Sequence, residues 1–586
     1  MKGAPRKHKV GVTDVYDYIA LKLFSKLASW VAKTFELEAG IRRAGMTVYP
    51  TLYAARLLLA VAMAAAISIY ATLMVAFSSV SFTYKVLVGA SFLSFPILVF
   101  ALGLSYPSYK AGDRKRWVES ELPFFASYIT AMAIAGLDVL NVLERVSRLN
   151  IFKGVRMEAQ LILRDVRLLG KDPLKAIEDN ALSHPSSQYR DFMLGYSATV
   201  KIGGSIVHYL EVKTQDIFRN RIDELKILSE RVALYTELYI ILAVISSISF
   251  YIFFTVSGLF PGLGFGGVSH MAIYSFVALP LITLTILYLV DRLQPKSPIK
   301  FFEPYNAIIT YGIPAAIITL PLTLYITGSY KVLGGLIAPN LIIAASTTLS
   351  SLLMALSLPP AYYWIIESRR ARGMGGAIAS FLRDLTEARK TGLSPEKSII
   401  ALSTRDYGPL TPVVKKMSSA LTIGLDVDKA VASAVKGCRN WVLLSTMRFL
   451  TDAITLGGGS VETLDSLARF ARSLENYEIE LSRRLKIYML MPYVGAIMVA
   501  GSSMMILGYT AQTLTVSPQQ AAQLKEQIGS IALILSLGSI INSWLMGLMA
   551  GKLSKGTIIA GFTHSIILVI ITLTTIALTL RGVPVI

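Results

Sequence analysis

Six short corners, three in each of two charged stretches, fix what this chain can fold into. In the first stretch Gly-x-Asp or Gly-x-Ser stands at Gly136-Leu137-Asp138, Gly170-Lys171-Asp172 and Gly203-Gly204-Ser205. In the second it stands at Gly392-Leu393-Ser394, Gly424-Leu425-Asp426 and Gly458-Gly459-Ser460. The spacings are 34 and 33 residues in the first copy, 32 and 34 in the second. Glycine suits the left-handed residue that closes one helix, and Asp or Ser suits the cap that opens the next. Pro173 and Pro395 follow two of the caps at the first helical position, where a missing N–H costs nothing. Each corner predicts a tight helix–helix turn. Three of them predict a bundle of about six helices in each copy.

Membrane-length apolar runs bracket both copies. The 586 residues are 54% hydrophobic with a mean hydropathy of +0.57, which places the chain among polytopic membrane proteins. Nine runs are long enough to span, at 57–77, 86–106, 232–256, 271–290, 305–327, 335–357, 488–510, 528–549 and 557–580. The first begins only after some fifty basic, charged residues, which is not the layout of a cleaved signal peptide. With the N-terminus assigned to the cytoplasm, 53 of the 57 Lys and Arg residues fall inside, and only Lys85, Lys331, Lys525 and Arg581 outside. That asymmetry is the positive-inside pattern, and it puts the C-terminus outside. The net charge of +20 is therefore topological, which argues against nucleic acid as a partner.

The expected fold class is an all-α polytopic membrane protein with about nine transmembrane helices and two cytosolic antiparallel helical bundles. The expected order is a cytosolic amphipathic segment at 1–52, a transmembrane hairpin at 53–106, a first bundle at 107–231, four spans at 232–357, a second bundle at 358–487 and three spans at 488–586. In the N-terminal segment Val15, Tyr18, Ile19, Leu23, Leu27, Trp30 and Val31 recur at helical spacing, with Lys22, Lys26 and Lys33 between them. Two readings stand there: a helix on the inner leaflet, or one packed on a cytosolic domain. The last helix of each bundle runs into the next span without Gly or Pro, at Glu230-Arg231-Val232 and across Glu478–Ile487. Such continuity would carry a push on the bundle into the bilayer.

Enzyme chemistry is missing. No Gly-x₄-Gly-Lys-[Ser/Thr] occurs, so a P-loop is absent. His8, His184, His208, His270 and His564 are scattered, with no pair at metal-ligand spacing. There is no Gly-x-Ser-x-Gly nucleophile elbow, and the one cysteine, Cys438, excludes a disulfide framework. No catalytic, cofactor or metal residue is assigned. A multi-span transporter or a membrane sensor is the rival class, but the spans are almost free of ionisable residues, with Glu237 near the start of the third. Asn542 and Gly547-x₃-Gly551 suit helix–helix packing in the eighth. Basic clusters sit at the bundle edges: Arg114, Lys115 and Arg116; Arg369, Arg370 and Arg372; Arg483, Arg484 and Lys486. They suit either anionic headgroups or an acidic patch on a soluble partner. Asp465, Glu475, Glu478 and Glu480 are further candidate contacts.

The repeated pattern resembles the type II secretion system F domain. It is carried by Leu122-Pro123-Phe124-Phe125, Gly136-Leu137-Asp138, Leu168–Pro173 and Lys201–Ser205 in copy one. In copy two it is carried by Phe381-Leu382, Thr391–Ser394, Ile423–Asp426 and Leu456–Ser460. Arg42-Arg43-Ala44-Gly45 resembles the lead-in to the first span in this family. Copy one departs from the pattern at Gly170-Lys171-Asp172, which lacks the apolar residue of Gly424-Leu425-Asp426. Two such domains with nine spans are similar to the archaeal form, the platform of type IV pilus and archaellum machines. The resemblance implies a non-enzymatic platform in the cell membrane, multi-pass in the lipid bilayer. It implies a separate hexameric secretion ATPase docked beneath, and pilin- or archaellin-like subunits lifted from the bilayer into a filament. A homodimer would suit the symmetry of a hexameric motor.

Overall fold

The computed structural model describes residues 12–77, 82–259, 267–294, 302–334, 336–512 and 518–582, with the backbone alone over stretches such as 82–93 and 518–526. Every regular element among the described residues is a helix. The chain divides into two compact units, 1–217 and 218–586.

In the first unit, α1 (Val12–Thr34) and α2 (Leu37–Arg43) precede α3 (Pro50–Ala76) and the 53-residue α4 (Phe82–Ile134). There follow α5 (Val139–Arg148), α6 (Gly154–Leu169), α7 (Pro173–Ser183), α8 (Ser187–Lys201) and α9 (Ile206–Tyr239), whose second half belongs to the second unit. The lower half of α4 with α5–α9 makes the six helices expected of copy one. Leu122, Phe125, Ile129 and Met132 lie at 2% exposure or less and form the α4 side of its core.

In the second unit the helices are α10 (Ser246–Leu259), α11 (Val268–Ile273), α12 (Leu279–Leu293), α13 (Glu303–Ala307), α14 (Ile313–Thr327), α15 (Tyr330–Leu333) and α16 (Pro339–Ala371). Copy two is α17 (Met374–Lys390), α18 (Pro395–Leu402), α19 (Thr411–Thr422), α20 (Val427–Ala434), α21 (Trp441–Gly457) and α22 (Val461–Lys486), again six helices. Its core is built on Ile378, Phe381, Leu382 and Leu385 of α17, all fully buried. The chain ends with α23 (Leu490–Gln512), α24 (Pro518–Lys555) and α25 (Ile558–Gly582).

Eight helices among the described residues are long and apolar enough to cross a membrane. They account for eight of the nine expected spans. The remaining one, 86–106, lies in α4, and its first residues fall outside the described side chains. The second unit's spans gather around α24, whose apolar window is 72% buried against at most 44% for any other. Small residues make this possible. A Cβ on Gly551 would stand 2.0 Å from the Gly561 nitrogen, and one on Gly547 would stand 2.2 Å from Ser565 Cα, so α24 and α25 touch backbone to backbone. At the ends of α12 and α24, Lys552 Nζ pairs with Asp291 at 2.6 Å and donates to the Gly556 carbonyl at 2.6 Å.

Wide π turns interrupt the span helices at Ile240–Ile245, Tyr274–Ala278 and Ile308–Gly312. The second and third immediately precede Pro280 and Pro314. Proline offers no N–H to the carbonyl four residues back, and the wider turn lets Leu279 N–H reach Tyr274 O and Ile313 N–H reach Ile308 O.

Candidate functional site

All six corner glycines take the left-handed conformation, with φ from +63° at Gly170 and Gly458 to +89° at Gly392. Five of the six following residues cap the next helix by side chain. Asp138 accepts from Leu140 N–H at 3.2 Å, Asp172 from Lys175 N–H at 3.1 Å and Ser205 from His208 N–H at 3.3 Å. Ser394 accepts from Lys397 N–H and Ser460 from Thr463 N–H. Asp426 stands in the extended cap geometry without a side-chain hydrogen bond. The corners follow the first, third and fifth helix of each six-helix copy, so antiparallel packing gathers them at one end. In copy two that gathering is direct: Arg389 Nε donates to Gly459 O at 2.9 Å and its guanidinium also reaches Leu393 O. Exposed aliphatics flank them, with Ile202 82% and Ile423 81% exposed.

The expected helical exits are present, with a change of helix type. From α9 the chain passes through the π turn at Ile240–Ile245 into α10, and from α22 through a 3₁₀ turn at Ile487–Met489 into α23. Within the second unit these two exit helices pack on each other. Phe218 packs against Phe470 with tilted rings and centroids 5.9 Å apart, Arg221 is hydrogen-bonded to Tyr477, and Ser229 Oγ lies 3.3 Å from Tyr488 Oη. Helical periodicity alone could not identify that pairing.

The basic clusters divide. Lys115, Arg116, Arg369, Arg370, Arg372, Arg483 and Lys486 are exposed, while Arg484 is half-buried beside Glu480 at 2.7 Å. Arg114 is the exception, and it corrects the expectation of a docking residue. Its side chain is 3% exposed and bidentate to Glu158, at 2.7 and 2.6 Å. Its Nη1 donates to the carbonyls of Arg42 and Arg43, at 3.2 and 3.0 Å, and so satisfies the open C-terminal end of α2. The physical reason is position. Arg114 shares a ridge with Val118, Glu121 and Phe125, the face of α4 that turns into the core. That ridge was visible in the sequence; charge read as surface concealed it.

Around this pair lies a buried polar network. Asn180 Nδ2 donates to Glu158 at 2.9 Å and Tyr189 Oη donates to Asn180 at 3.0 Å. His184 Nδ1 accepts from Ser186 N–H at 3.0 Å, so its proton sits on Nε2, 3.7 Å from Glu158. Burial pulls the His184 pKa down to about 4. Nearby, Glu121 accepts from Lys153 N–H at 2.8 Å and Val155 N–H at 2.9 Å, capping the start of α6 from another helix. Burial outweighs those bonds and raises its carboxyl to about 7. Gly154 lets α6 come this close, because a Cβ there would lie 2.8 Å from the α4 backbone at Trp117. The remaining candidates pair locally: Asp465 with Arg469, and Glu480 with Arg483 and Arg484. Glu475 and Glu478 crowd Gly376 and Gly375 at the start of α17.

The two bundles now have their counterpart among known proteins. The family model of the type II secretion system protein F matches residues 125–254 and again 381–508. The chain carries two F domains. Each match begins in the first bundle helix, takes in all three corners and runs through the exit helix into the following span. Two regions of the chain thus match the type II secretion system protein F family, in a chain whose described residues include eight helices long and apolar enough to cross a membrane. A relative in Methanocaldococcus jannaschii, described only as an uncharacterized protein, is 22% identical over 495 residues, covering 79% of this chain and 80% of its own length. No solved structure matches.

Proposed function

We propose that this two-F-domain protein is the cytoplasmic-membrane assembly platform of a type IV pilus-like machine of the archaeal pilus or archaellum kind. Its N-terminus and both bundles lie in the cytoplasm, and its C-terminus outside. A separate hexameric secretion ATPase docks on the exposed basic residues and the corner ends of the bundles. Strokes of that motor move the bundles, and the exit helices pass the motion to the spans, which help lift pilin- or archaellin-like subunits into the filament. A homodimer would match the symmetry of the motor. The platform itself performs no chemistry.

One observation carries this reading. In both copies the last bundle helix continues as helix into a span, and these two exit helices lie side by side. A helix transmits displacement along its axis, whereas a flexible linker would absorb it. The test uses the full chain in nanodiscs with a purified secretion ATPase of the same cell. The platform should bind the ATPase and change its turnover, and should hydrolyse no ATP alone. ATP hydrolysis by the platform alone, or solute uptake into proteoliposomes, would place it with the enzymes or transporters.

A further inference from the structure

In the first unit, helix α1 carries two apolar ridges, and only one of them is covered. Ala20, Ala28, Val31 and Ala32 are at most 8% exposed and pack with Ala54 and Ala55 of α3. Beside them Ile19, Leu23, Leu27 and Trp30 rise at helical spacing as a second ridge, 40–65% exposed. Lys22, Lys26 and Lys33 form the next ridge around the helix, and all three are exposed. Asp17 does not neutralise them, because it is held by Arg56 at 2.5 and 2.6 Å.

Position decides what covers the second ridge. Every α3 and α4 residue in the cluster with α1 lies at 53–59 or 100–104, the ends of the hairpin nearest the charged bundle. Tyr16 Oη fixes the same level by donating to Arg56 O at 3.0 Å. Further along α3, Ile67, Tyr70 and Leu73 are 52–65% exposed, the surface that faces lipid in a spanning helix. The open ridge of α1 therefore adjoins the lipid-facing surface at the depth where acyl chains give way to headgroups. An apolar ridge flanked by lysines is the pattern of a helix lying in that boundary.

We infer that α1 lies in the membrane surface, with Leu23, Leu27 and Trp30 among the acyl chains and Lys22, Lys26 and Lys33 on anionic lipid headgroups. Arg114 joins this surface helix to the core of copy one through the end of α2. Neither point depends on the motor reading, since lipid contact can be measured without an ATPase.

The test is spin-label accessibility on the full chain carrying Cys438→Ala, in nanodiscs of neutral lipid and of neutral lipid mixed with phosphatidylglycerol. Labels at Leu23→Cys and Leu27→Cys should collide with oxygen in preference to a water-soluble nickel chelate. A label at Ser25→Cys, on the far side of the helix, should show the reverse. The triple substitution Lys22→Gln, Lys26→Gln, Lys33→Gln should lower the oxygen preference in anionic discs to the level of neutral discs, which it leaves unchanged. Water-like accessibility at 23 and 27 in both lipids overturns the inference. So does shielding from both reagents, which would mean a protein partner or a second copy covers the ridge. Should a label disturb the fold, quenching by brominated lipid that disappears in Trp30→Phe reads the same depth.

Discussion

The two F domains share helix count, corner geometry and exit helices, yet different forces hold them together. Copy one is organised around buried charge: Arg114, Glu121 and Glu158 are each at most 4% exposed. With the corners aligned, copy two has the exposed Arg370 in the place of Arg114, Ala377 in that of Glu121 and Ala434 in that of Asn180. Among the described residues its one fully buried charged side chain is Asp452, which pairs with Arg448 at 3.2 Å, and its other buried polar groups are neutral hydroxyls such as Ser398, Ser445 and Thr463. The entries differ as well. Copy one is entered by the unbroken α4, whereas a left-handed Gly373 at φ +75° separates α16 from α17 in copy two. An apolar bundle tolerates small shifts of its helices, while a paired charge in low dielectric tolerates almost none. Copy one is thus the tightly specified body, latched to α2, and copy two the one with a turn at its entry.

Removing the latch is the harshest way to break this comparison. Arg114→Met leaves Glu158 charged, buried and unpaired, and should cost ~3–5 kcal/mol. Arg370→Met, at the aligned position in copy two, should stay within ~0.5 kcal/mol. Denaturant unfolding of the full chain in detergent compares them, and equal costs would erase the distinction.

Titration sharpens it next. The Glu121 carboxyl, raised to about 7, holds its proton more tightly folded than unfolded, so its contribution falls as pH rises from the ordinary carboxylate range to 7. His184 has the opposite sign: its pKa is lowered to about 4, and the stability of its neutral form is lost as pH falls from about 6.5 to 4. The two slopes oppose each other in the parent. In Glu121→Gln only the His184 slope remains, so the stability difference from the parent should climb by ~3 kcal/mol between pH 4.5 and 7. Thermal melts across that range read it. The aligned Ala377→Gln in copy two should give a constant offset.

Corner substitutions should affect both copies alike. No atom lies within 4 Å of a Cβ built on Gly136 or Gly424, so alanine there pays only for its left-handed backbone, ~1–2 kcal/mol. At Gly459 alanine also meets Pro395 Cγ at 2.8 Å, so Gly459→Ala should cost more than either. A small effect on stability is also expected for Arg483→Glu with Arg484→Glu, within about 1 kcal/mol for pairs at the surface. ATPase binding should fall with it while membrane insertion does not, and equal loss of both would assign the pair to lipid headgroups.

Much of this was legible before the fold was known. Gly-x-Asp and Gly-x-Ser mark corners because few residues accept positive φ, and an acid or hydroxyl directly after it caps a helix. The spans were legible because a bilayer demands length and apolarity. Gly547 and Gly551 announced close packing, though not that α25 was the partner. Two things were hidden. Arg114 reads as surface charge unless its ridge with Val118, Glu121 and Phe125 is traced, and Glu158, its partner, lies 44 residues away. The pairing of α9 with α22 joins residues more than two hundred positions apart, and periodicity gives a buried face without naming what buries it.

The most direct test of coupling through helical exits interrupts them. A flexible Gly/Ser insert between Arg231 and Val232, or between Lys486 and Ile487, should leave ATPase binding intact and abolish filament assembly. An alanine insert of about two turns at the same places, which keeps the helix continuous, should preserve part of it. Filament assembly that survives the flexible inserts at parent level would contradict the account.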